Sequence, residues 1–493
     1  MVLPNAQPNQ PITMNQPLNA SSASRRPWLL VIVLVSYAMI VIDNSIVITA
    51  LPTLRGSLGF TPAGLSWVQN AYALSFGGLM LLGARAGDLL GRRRVFVSGL
   101  ALFSAASFAI GLAESPAWLI ASRALQGVGA AILSPATLAL LSTGFPEGPQ
   151  RVRVLGWYGA VGGITASLGL VVGGLLADFV SWRAGFFINV PIGILLIWGA
   201  RRVITETPQQ PGRFDLPGAF LSTAGMVALV YGLVHAAEES WWHRGTAVPL
   251  LLGVGLLALF LLSEHRAEQR AQQPILPLRL LASAERSGAN AARLLFVGAS
   301  MGFFFYVTQY LQGVLGLRPS LAGAAFFPSM LVNFLGALWA PRLARRFGHG
   351  RVLAVSMAIS LAGMCALGTL HAGSTYLASM AAPMLLVGAG MGATLAMLTV
   401  SGVAGVAPSD AGSASGLVGV AHQIGGALGL AILVVVFAIG SAPADLRAHA
   451  EQAHRIGQAL SGAAVLLALA WALVLGFVIR KRPAVLDTAS TTR

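Results

Sequence analysis

The sequence is poor in cysteine, in lysine and in charge. Its 493 residues include one cysteine, Cys365, and one lysine, Lys481, and only 10% of the residues are charged. A single cysteine excludes an intramolecular disulfide and a metal site built from several thiolates. Soluble domains carry about 25% charged residues, so the composition argues against a soluble protein. A formal charge of +15 can indicate a nucleic-acid binder, but the basic residues cluster in alternate loops between apolar runs.

The sequence also lacks the motifs of common enzymes and ATP-driven pumps. It has no phosphate-binding loop of the Gly-x-x-x-x-Gly-Lys type, no Ser/His/Asp constellation and no group of metal ligands. We therefore expect no enzymatic activity and no bound cofactor or metal.

Hydrophobic residues, in contrast, make up 56% of the chain and recur in long runs to its end. About 20 apolar residues in helical form cross a bilayer, and lipid favours helices because they satisfy their own backbone groups. The sequence predicts an all-α membrane protein with fourteen spans. The predicted spans are 28–52, 64–84, 95–114, 117–143, 154–177, 184–200, 216–236, 246–263, 290–313, 320–340, 352–371, 374–401, 414–440 and 458–479.

The basic residues predict the orientation of the chain. With the N-terminus inside, 23 of the 31 basic residues fall in inner segments and 6 in outer loops, while Arg123 and Arg293 stay within spans. Positive charge is enriched in cytoplasmic loops, so both termini are expected in the cytoplasm. Residues 1–27, rich in Asn, Gln, Pro and Ser, are predicted to be a disordered tail, and residues 481–493 a second tail.

The two halves of the chain correspond under a shift of 257 positions, which places Gly91 on Gly348 and Gly169 on Gly426. Transporters built from parallel repeats bind their substrate between the repeats, near the middle of the membrane. The predicted divisions are an N-terminal six-helix bundle at 28–201, two inserted helices with linkers at 202–289, and a C-terminal six-helix bundle at 290–480.

Two charged residues lie deep inside predicted spans. Asp43 is the one acid of the first span, and Arg123 lies near the middle of the fourth, with Gln126 one turn away. Because a charge is costly in a bilayer, such residues usually face a cavity or a partner. The first span therefore predicts a transporter with a proton- or cation-binding acid. The simpler alternatives are a helix-end position for Asp43 and extension of Arg123 to the interface.

The loop after the second span resembles a signature of the major facilitator superfamily. The run GARAGDLLGRRR, from Gly83 to Arg94, is similar to Gly-x-x-x-Asp-Arg-x-Gly-Arg-Arg and departs from it at Ala84 and Leu89. In that family the loop latches the two halves during alternating access. On the residues alone, the run is a tight turn followed by cytoplasmic positive charge. By resemblance the latch residues are Asp88, Gly91 and Arg92.

Further stretches resemble the fourteen-helix drug:proton antiporters of this superfamily. They are IDNSIVITALP (42–52), RALQGVGAA (123–131), SLGLVVGG (167–174) and SWRAGFFINVPIG (181–193). The third stretch has Leu170 in place of the family's proline. Glycines spaced i, i+4 allow any two helices to approach closely, and by resemblance Gly169, Gly173 and Gly174 belong to the antiporter helix.

The resemblance, which runs from about residue 28 to 480, implies a function. It implies a bacterial inner-membrane antiporter that exports lipophilic drugs or antibiotics by alternating access and is driven by the proton gradient. Asp43 would carry the proton, since a desolvated carboxylate binds protons more readily, and Arg123 would tune it. Alternatives are a dedicated exporter of one endogenous metabolite and a non-transporting membrane sensor. Asp43 and Arg123 argue against the sensor, because a protein that does not transport has no need of charges that are costly to bury in a membrane.

Aromatic and amide side chains predict the wall of a substrate cavity, because aromatic faces suit flat lipophilic ligands and attract cations. Each of them, taken singly, is more simply explained by packing or by contact with lipid. The later spans hold no acid before Asp445, so monovalent cationic, neutral or zwitterionic substrates are expected, with protons and lipid as the other partners of a monomer. The predicted lining residues are Trp67, Asn70, Tyr72, Gln126, Phe305, Tyr306 and Gln309.

Overall fold

The part of the chain that the structure describes is a bundle of long helices, and no strand occurs in that part. Thirteen of the described helices are long and apolar enough to cross a membrane. The chain is therefore a multi-pass membrane protein of the all-α class, as the sequence predicts. The computed structural model describes residues 20–145, 149–207, 209, 214–269, 278–406, 411–439 and 448–479.

Within the described residues, fourteen long helices follow one another in the predicted order. The first six are α1 (Ala20–Leu58), α2 (Trp67–Leu90), α3 (Arg92–Gly111), α4 (Pro116–Gly144), α5 (Pro149–Phe179) and α6 (Asn189–Val203). The next two, from the predicted insertion, are α7 (Leu216–Ala236) and α8 (Arg244–Gln269). The last six are α9 (Ala284–Gln309), α10 (Pro319–Phe347), α11 (His349–Leu367), α12 (Ala381–Gly402), α13 (Ala411–Ile439) and α14 (Ala448–Leu473).

Some boundaries differ from those predicted. Helix α1 begins at Ala20, inside the segment predicted as a disordered tail. Residues 1–19 and 481–493, the remainder of the predicted tails, lie outside the described residues. Helix α2 has 24 residues but is not among the thirteen apolar spans.

Side-chain caps mark the starts of several helices. At α4, Ser115 Oγ accepts a hydrogen bond from the Trp118 N–H, and Pro116 occupies the first helical position. Asp215 caps α7 and Ser283 caps α9 in the same manner. Such a cap satisfies an N–H that has no partner within the helix and typically contributes about 1 kcal/mol.

Gly91 and Gly348 adopt nearly the same backbone conformation. Their φ and ψ angles are 97° and 133° for Gly91, and 84° and 145° for Gly348. Each glycine joins two consecutive helices, α2 to α3 and α10 to α11, through a positive φ that favours glycine. The structure therefore places the same turn at the positions that the shift of 257 relates.

The helix contacts repeat as well. In the first half α4 packs on α2 and α3, and α5 packs on α1; in the second half α12 packs on α10 and α11, and α13 packs on α9. The halves meet along two seams, α2 with α13 and α5 with α10. These two seams are equivalent under the repeat. Helix α7 packs against α2, α13 and α8.

The seam between α5 and α10 is tight at the end of the bundle where α1 finishes. A Cβ added at Gly174 would clash with the Pro319 carbonyl oxygen, so the two backbones lie very close together. Ser320 donates a hydrogen bond to Asp178 across this seam. Gln312 Nε2 also donates to the Thr49 carbonyl oxygen at 2.9 Å. We call this the sealed end, and the end with the Gly91 and Gly348 turns the arginine-rich end.

Candidate functional site

Asp43 and Arg123 form an ion pair inside the first half. Arg123 Nη1 lies 2.9 Å from Asp43 Oδ2, and neither side chain is exposed. Arg123 Nε donates to the Val68 carbonyl oxygen at 2.9 Å, and the Tyr72 ring centroid lies 4.3 Å from the guanidinium carbon. A buried ion pair is stable only when further hydrogen bonds satisfy its remaining atoms, and most of them are satisfied here.

The second carboxylate oxygen of Asp43 is held by two amides. Gln126 Nε2 donates to Oδ1 at 2.8 Å, and Asn189 Nδ2 donates to the same atom at 2.7 Å. Both amides also donate to Ser107 Oγ, at 2.8 and 3.2 Å. The carboxylate of α1 is therefore fixed by side chains from α3, α4 and α6, which we call the Asp43 network.

Local structure explains how Asn189 reaches Asp43. A short helix, Ala184–Phe187, precedes α6, and its Phe186 is fully buried. Asn189 is then the first residue of α6 and is only 2% exposed. Within this otherwise satisfied network Arg123 Nη2 is buried without a hydrogen-bond partner. Such a donor is costly to bury.

A small cavity lies beside the ion pair, between the two halves. Its volume is about 10 Å³, enough for roughly one water molecule. Three polar atoms or groups at its wall are buried without a partner: the Asn70 amide, Gln69 Nε2 and the Tyr72 hydroxyl. The polar wall is formed by Asn44, Gln69, Asn70, Tyr72 and Gln423, with Met301 on its apolar side.

The four predicted cavity residues of the first half separate into three groups. Asn70 and Tyr72 line the cavity, whereas Gln126 belongs to the Asp43 network. Trp67 packs against Tyr231 of α7, with 6.2 Å between ring centroids. The structure thus gives Trp67 a contact with the inserted helices.

The three residues predicted from α9 do not line this cavity. The Tyr306 hydroxyl donates to the Leu433 carbonyl oxygen at 3.1 Å within the second half. Phe305 is 2% exposed and packs on Tyr306, and Gln309 donates to the Phe305 carbonyl oxygen of its own helix. The reason is the rotation of α9, which presents Met301 to the cavity instead.

The predicted latch residues lie at the turn from α2 to α3. The Arg92 N–H donates to Thr207 Oγ1 at 3.1 Å, and Gly91 has the positive φ described above. The carboxylate of Glu206 accepts hydrogen bonds from the next two backbone N–H groups of α3, at 3.0 and 3.2 Å. These contacts tie the turn to the segment after α6. Asp88 lies in α2, but its side chain is outside the described part of the structure.

The three predicted glycines of α5 face two different helices. A Cβ added at Gly169 or Gly173 would lie 2.6 Å from atoms of α1, and one at Gly174 would meet α10. Substitution at these positions would therefore separate α5 from the helix that carries Asp43 or from the opposite half.

Sequence reasoning missed three residues: Asn189, Ser107 and Glu206. The stretch that contains Asn189 is recognised from the sequence only as a family resemblance, although an amide at the start of an apolar span is itself a signal. Ser107 is one of several small hydroxyl residues in apolar helices, which mostly bond to their own backbone. Glu206 lies outside the spans and carries no intramembrane signal.

Two repeated helical halves, with an ion pair in one half and a cavity between them, define a membrane transporter. The family model described as the Major Facilitator Superfamily matches residues 33–430. The chain belongs to this superfamily.

Several relatives align over most of the chain. The cephamycin export protein CmcT of Amycolatopsis lactamdurans is 39% identical, over 91% of each chain. The puromycin resistance protein pur8 of Streptomyces alboniger is 39% identical, over 86% of this chain and 84% of that one. The tetracenomycin C resistance and export protein of Streptomyces glaucescens is 34% identical, over 85% and 77%.

Solved transporter structures share the fold. A crystal structure of a bacterial homologue of the human lysosomal transporter Spinster, inward-facing and unoccupied, superposes with a TM-score of 0.66. It is 16% identical and covers 93% of this chain and 99% of that one. A crystal structure of a point mutant of the nucleoside transporter NupG has a TM-score of 0.61 at 14% identity, covering 91% and 99%.

Proposed function

We propose that the protein is a secondary antiporter that exports lipophilic drugs or antibiotics from the cytoplasm in exchange for protons. The observation that carries this proposal is the fully buried Asp43–Arg123 pair. If Asp43 takes up a proton, Arg123 loses its counter-charge in a medium where an unpaired cation is costly. Protonation of Asp43 and movement of Arg123 are therefore linked.

Tyr72 supplies a physical connection between proton and substrate. The Tyr72 ring packs against the Arg123 guanidinium, and the same side chain lines the cavity between the halves. A substrate in the cavity would contact Tyr72 and change the surroundings of Arg123. Substrate and proton would then influence one another through one aromatic side chain.

Alternating access follows from the two halves. The cavity of about 10 Å³ is far below the roughly 300–1,000 Å³ of a drug-sized site, so the halves must separate to admit a substrate. We propose that the sealed end faces outward and that the arginine-rich end, with both termini, faces the bacterial cytoplasm. The ion pair and the cavity lie in one chain, which supports a monomer as the working unit.

The names of the relatives favour a second candidate within the same mechanism. The cephamycin export protein and the tetracenomycin C resistance and export protein are each named for one compound or compound class. A dedicated exporter with a narrow substrate range is therefore the runner-up. Transport of a chemically diverse panel would separate the two candidates, because a dedicated exporter moves only one chemical class.

The test uses inside-out membrane vesicles with an acidic lumen. The native protein should drive accumulation of a lipophilic dye, and Asp43→Asn should abolish accumulation while the protein remains folded. Glu451→Gln is the matched control, since it removes an acid from a partly exposed pair with Arg455 worth at most about 1 kcal/mol. Accumulation that survives Asp43→Asn would contradict proton coupling through Asp43.

A further inference from the structure

The second half contains a buried arginine that pairs with no carboxylate of the described residues. Arg293 of α9 is 8% exposed, and its Nη1 donates to Thr399 Oγ1 of α12 at 2.9 Å. Its Nε is buried without a hydrogen-bond partner. The described helices of the second half carry only two acids: Glu285, two turns away at the start of α9, and Glu451, paired with Arg455.

Other unpartnered polar atoms surround this arginine. His422 of α13 is close enough to Arg293 to interact with its positive charge. His422 Nδ1 is buried without a hydrogen-bond partner. One turn before Arg293, Asn290 Oδ1 is also buried without a hydrogen-bond partner. Helices α9 and α13 thus contribute buried polar groups near one fixed positive charge, and Arg293 Nε, Asn290 Oδ1 and His422 Nδ1 have no hydrogen-bond partner among the described residues. We call these groups the Arg293 cluster.

Arg293 differs from Arg123, the buried arginine of the first half, in the carboxylate that each could pair with. Arg123 has the carboxylate of Asp43 at 2.9 Å, whereas no described carboxylate pairs with Arg293. The position equivalent to Asp43 in the second half is Ser300, whose hydroxyl donates to the Phe296 carbonyl oxygen of its own helix. An unpaired charge is costly inside a membrane, so a residue of this kind usually marks a substrate, ion or proton site.

The Arg293 cluster and the cavity between the halves share two helices, α9 and α13. Arg293, Val297 and Met301 are spaced i, i+4, i+8 and form one ridge of α9. The end of this ridge, Met301, lines the cavity, and Gln423, which follows His422, lines it from α13. The distance along α9 from Arg293 to Met301 is about 12 Å, so a drug-sized molecule could reach both.

We propose that Arg293 binds the carboxylate of the exported substrate, and that the natural substrates are amphiphilic carboxylates or zwitterions. This rests on the proposed drug-export function and specifies its substrate class. The guanidinium matches a carboxylate in shape and charge and can donate two parallel hydrogen bonds. The carboxylate would contact Arg293, and the apolar body would extend toward Met301 and the widened cavity.

The test uses a pair of dyes, rhodamine B, which has a free carboxylate, and its ethyl ester. Uptake into energised inside-out vesicles is measured for the native protein, Arg293→Gln and Arg293→Lys. Arg293→Gln should raise KM for rhodamine B by about 10- to 100-fold, the effect of losing a hydrogen bond to a charged group, and leave KM for the ester unchanged. Arg293→Lys should raise KM for rhodamine B less than Arg293→Gln does, because lysine keeps the positive charge but cannot donate two parallel hydrogen bonds to a carboxylate.

The matched control is Arg286→Gln, which removes an arginine two turns earlier on α9 that donates to the backbone carbonyls of Leu280 and Ala404. It should not discriminate between the dyes. An equal effect of Arg293→Gln on both dyes, or none, would overturn the proposal, because it indicates a structural role or another bound anion. Native uptake of the ester alone would also overturn it while leaving drug export intact. Uptake of neither dye would contradict the proposed function itself.

Discussion

Asn189 Nδ2 donates a 2.7 Å hydrogen bond to Asp43 Oδ1, across 146 positions of the chain. This contact joins the first residue of α6 to the acid of α1. The same amide reaches Ser107 on α3 at 3.2 Å. The orientation of the Asp43 carboxylate, and therefore the geometry of its pair with Arg123, depends on three neighbouring helices.

Asn189→Leu should slow transport strongly with a smaller effect on folding. Leucine has a similar size but cannot donate to the carboxylate, and a hydrogen bond to a charged group contributes about 1.5–3 kcal/mol. We expect the initial rate of proton-driven dye uptake to fall about 10- to 100-fold. Asn333→Leu is the control, because the hydrogen bonds described for the Asn333 amide nitrogen go to the thioether sulfurs of Met330 and Met391. Equal losses in both variants would show that Asn189 is merely structural.

Arg123→Gln should destabilise the protein more than the removal of both charges. It leaves Asp43 buried without a counter-charge, and breaking a buried ion pair costs about 3–5 kcal/mol. The double variant Asp43→Asn, Arg123→Gln should recover most of the thermal unfolding temperature in detergent but no proton-driven transport. A double variant no more stable than Arg123→Gln would contradict the buried pair.

Tyr72→Phe should preserve coupling, whereas Tyr72→Leu should impair it. Phenylalanine keeps the aromatic face that lies 4.3 Å from the Arg123 guanidinium, and a desolvated cation–π contact contributes about 2 kcal/mol. The measurement is the pH gradient needed for half-maximal dye uptake. We expect Tyr72→Leu to need a larger pH gradient than Tyr72→Phe for half-maximal uptake. The same pH gradient in both variants would show that the Tyr72 ring does not connect the proton site to the substrate.

A cross-link across the sealed end should stop transport reversibly. In a Cys365→Ser background, Asp178→Cys with Ser320→Cys replaces the hydrogen bond between α5 and α10. A short bifunctional thiol reagent with a reducible disulfide should join the cysteines and abolish uptake, and reduction should restore it. Each single-cysteine variant is the control. Undiminished uptake by fully cross-linked protein would show that this seam does not open during transport.

Gly91→Ala should destabilise the protein more than Gly348→Ala. Both glycines have positive φ, but a Cβ at Gly91 would lie 2.6 Å from Glu206 Oε1, whereas nothing lies within 4 Å at Gly348. We expect a lower unfolding temperature for Gly91→Ala. In a Glu206→Ala background, Gly91→Ala and Gly348→Ala should lower the unfolding temperature equally. A difference that persists in this background would show that the contact with Glu206 is not its cause.

The sequence predicts the elements that lipid and charge constrain most strongly. Long apolar runs define the helices because a backbone in hydrocarbon has few alternatives. Asp43 and Arg123 are recognised because a charge in such a run is costly. The repeat follows from glycines, since the turns at Gly91 and Gly348 require a conformation that other residues rarely adopt.

The remaining parts of the site depend on features that the sequence encodes weakly. Asn189 and Ser107 are uncharged, so their presence in apolar segments carries little signal. Phe305 and Tyr306 are expected at the cavity for their aromatic character, but the packing of α9 on α13 decides which face of that helix meets the cavity. The hydrogen bond between Asp178 and Ser320 joins two loop-proximal residues that no spacing relates.

The most direct test of the central claim is whether a substrate gradient alone moves protons through the purified protein. Proteoliposomes carry a pH-sensitive dye in the lumen, and an outward gradient of a transported drug is imposed without any initial pH difference. The native protein should acidify the lumen as drug leaves, and Asp43→Asn should produce no pH change. Drug movement by the native protein without a proton flux, or an unchanged flux in Asp43→Asn, would contradict antiport through Asp43.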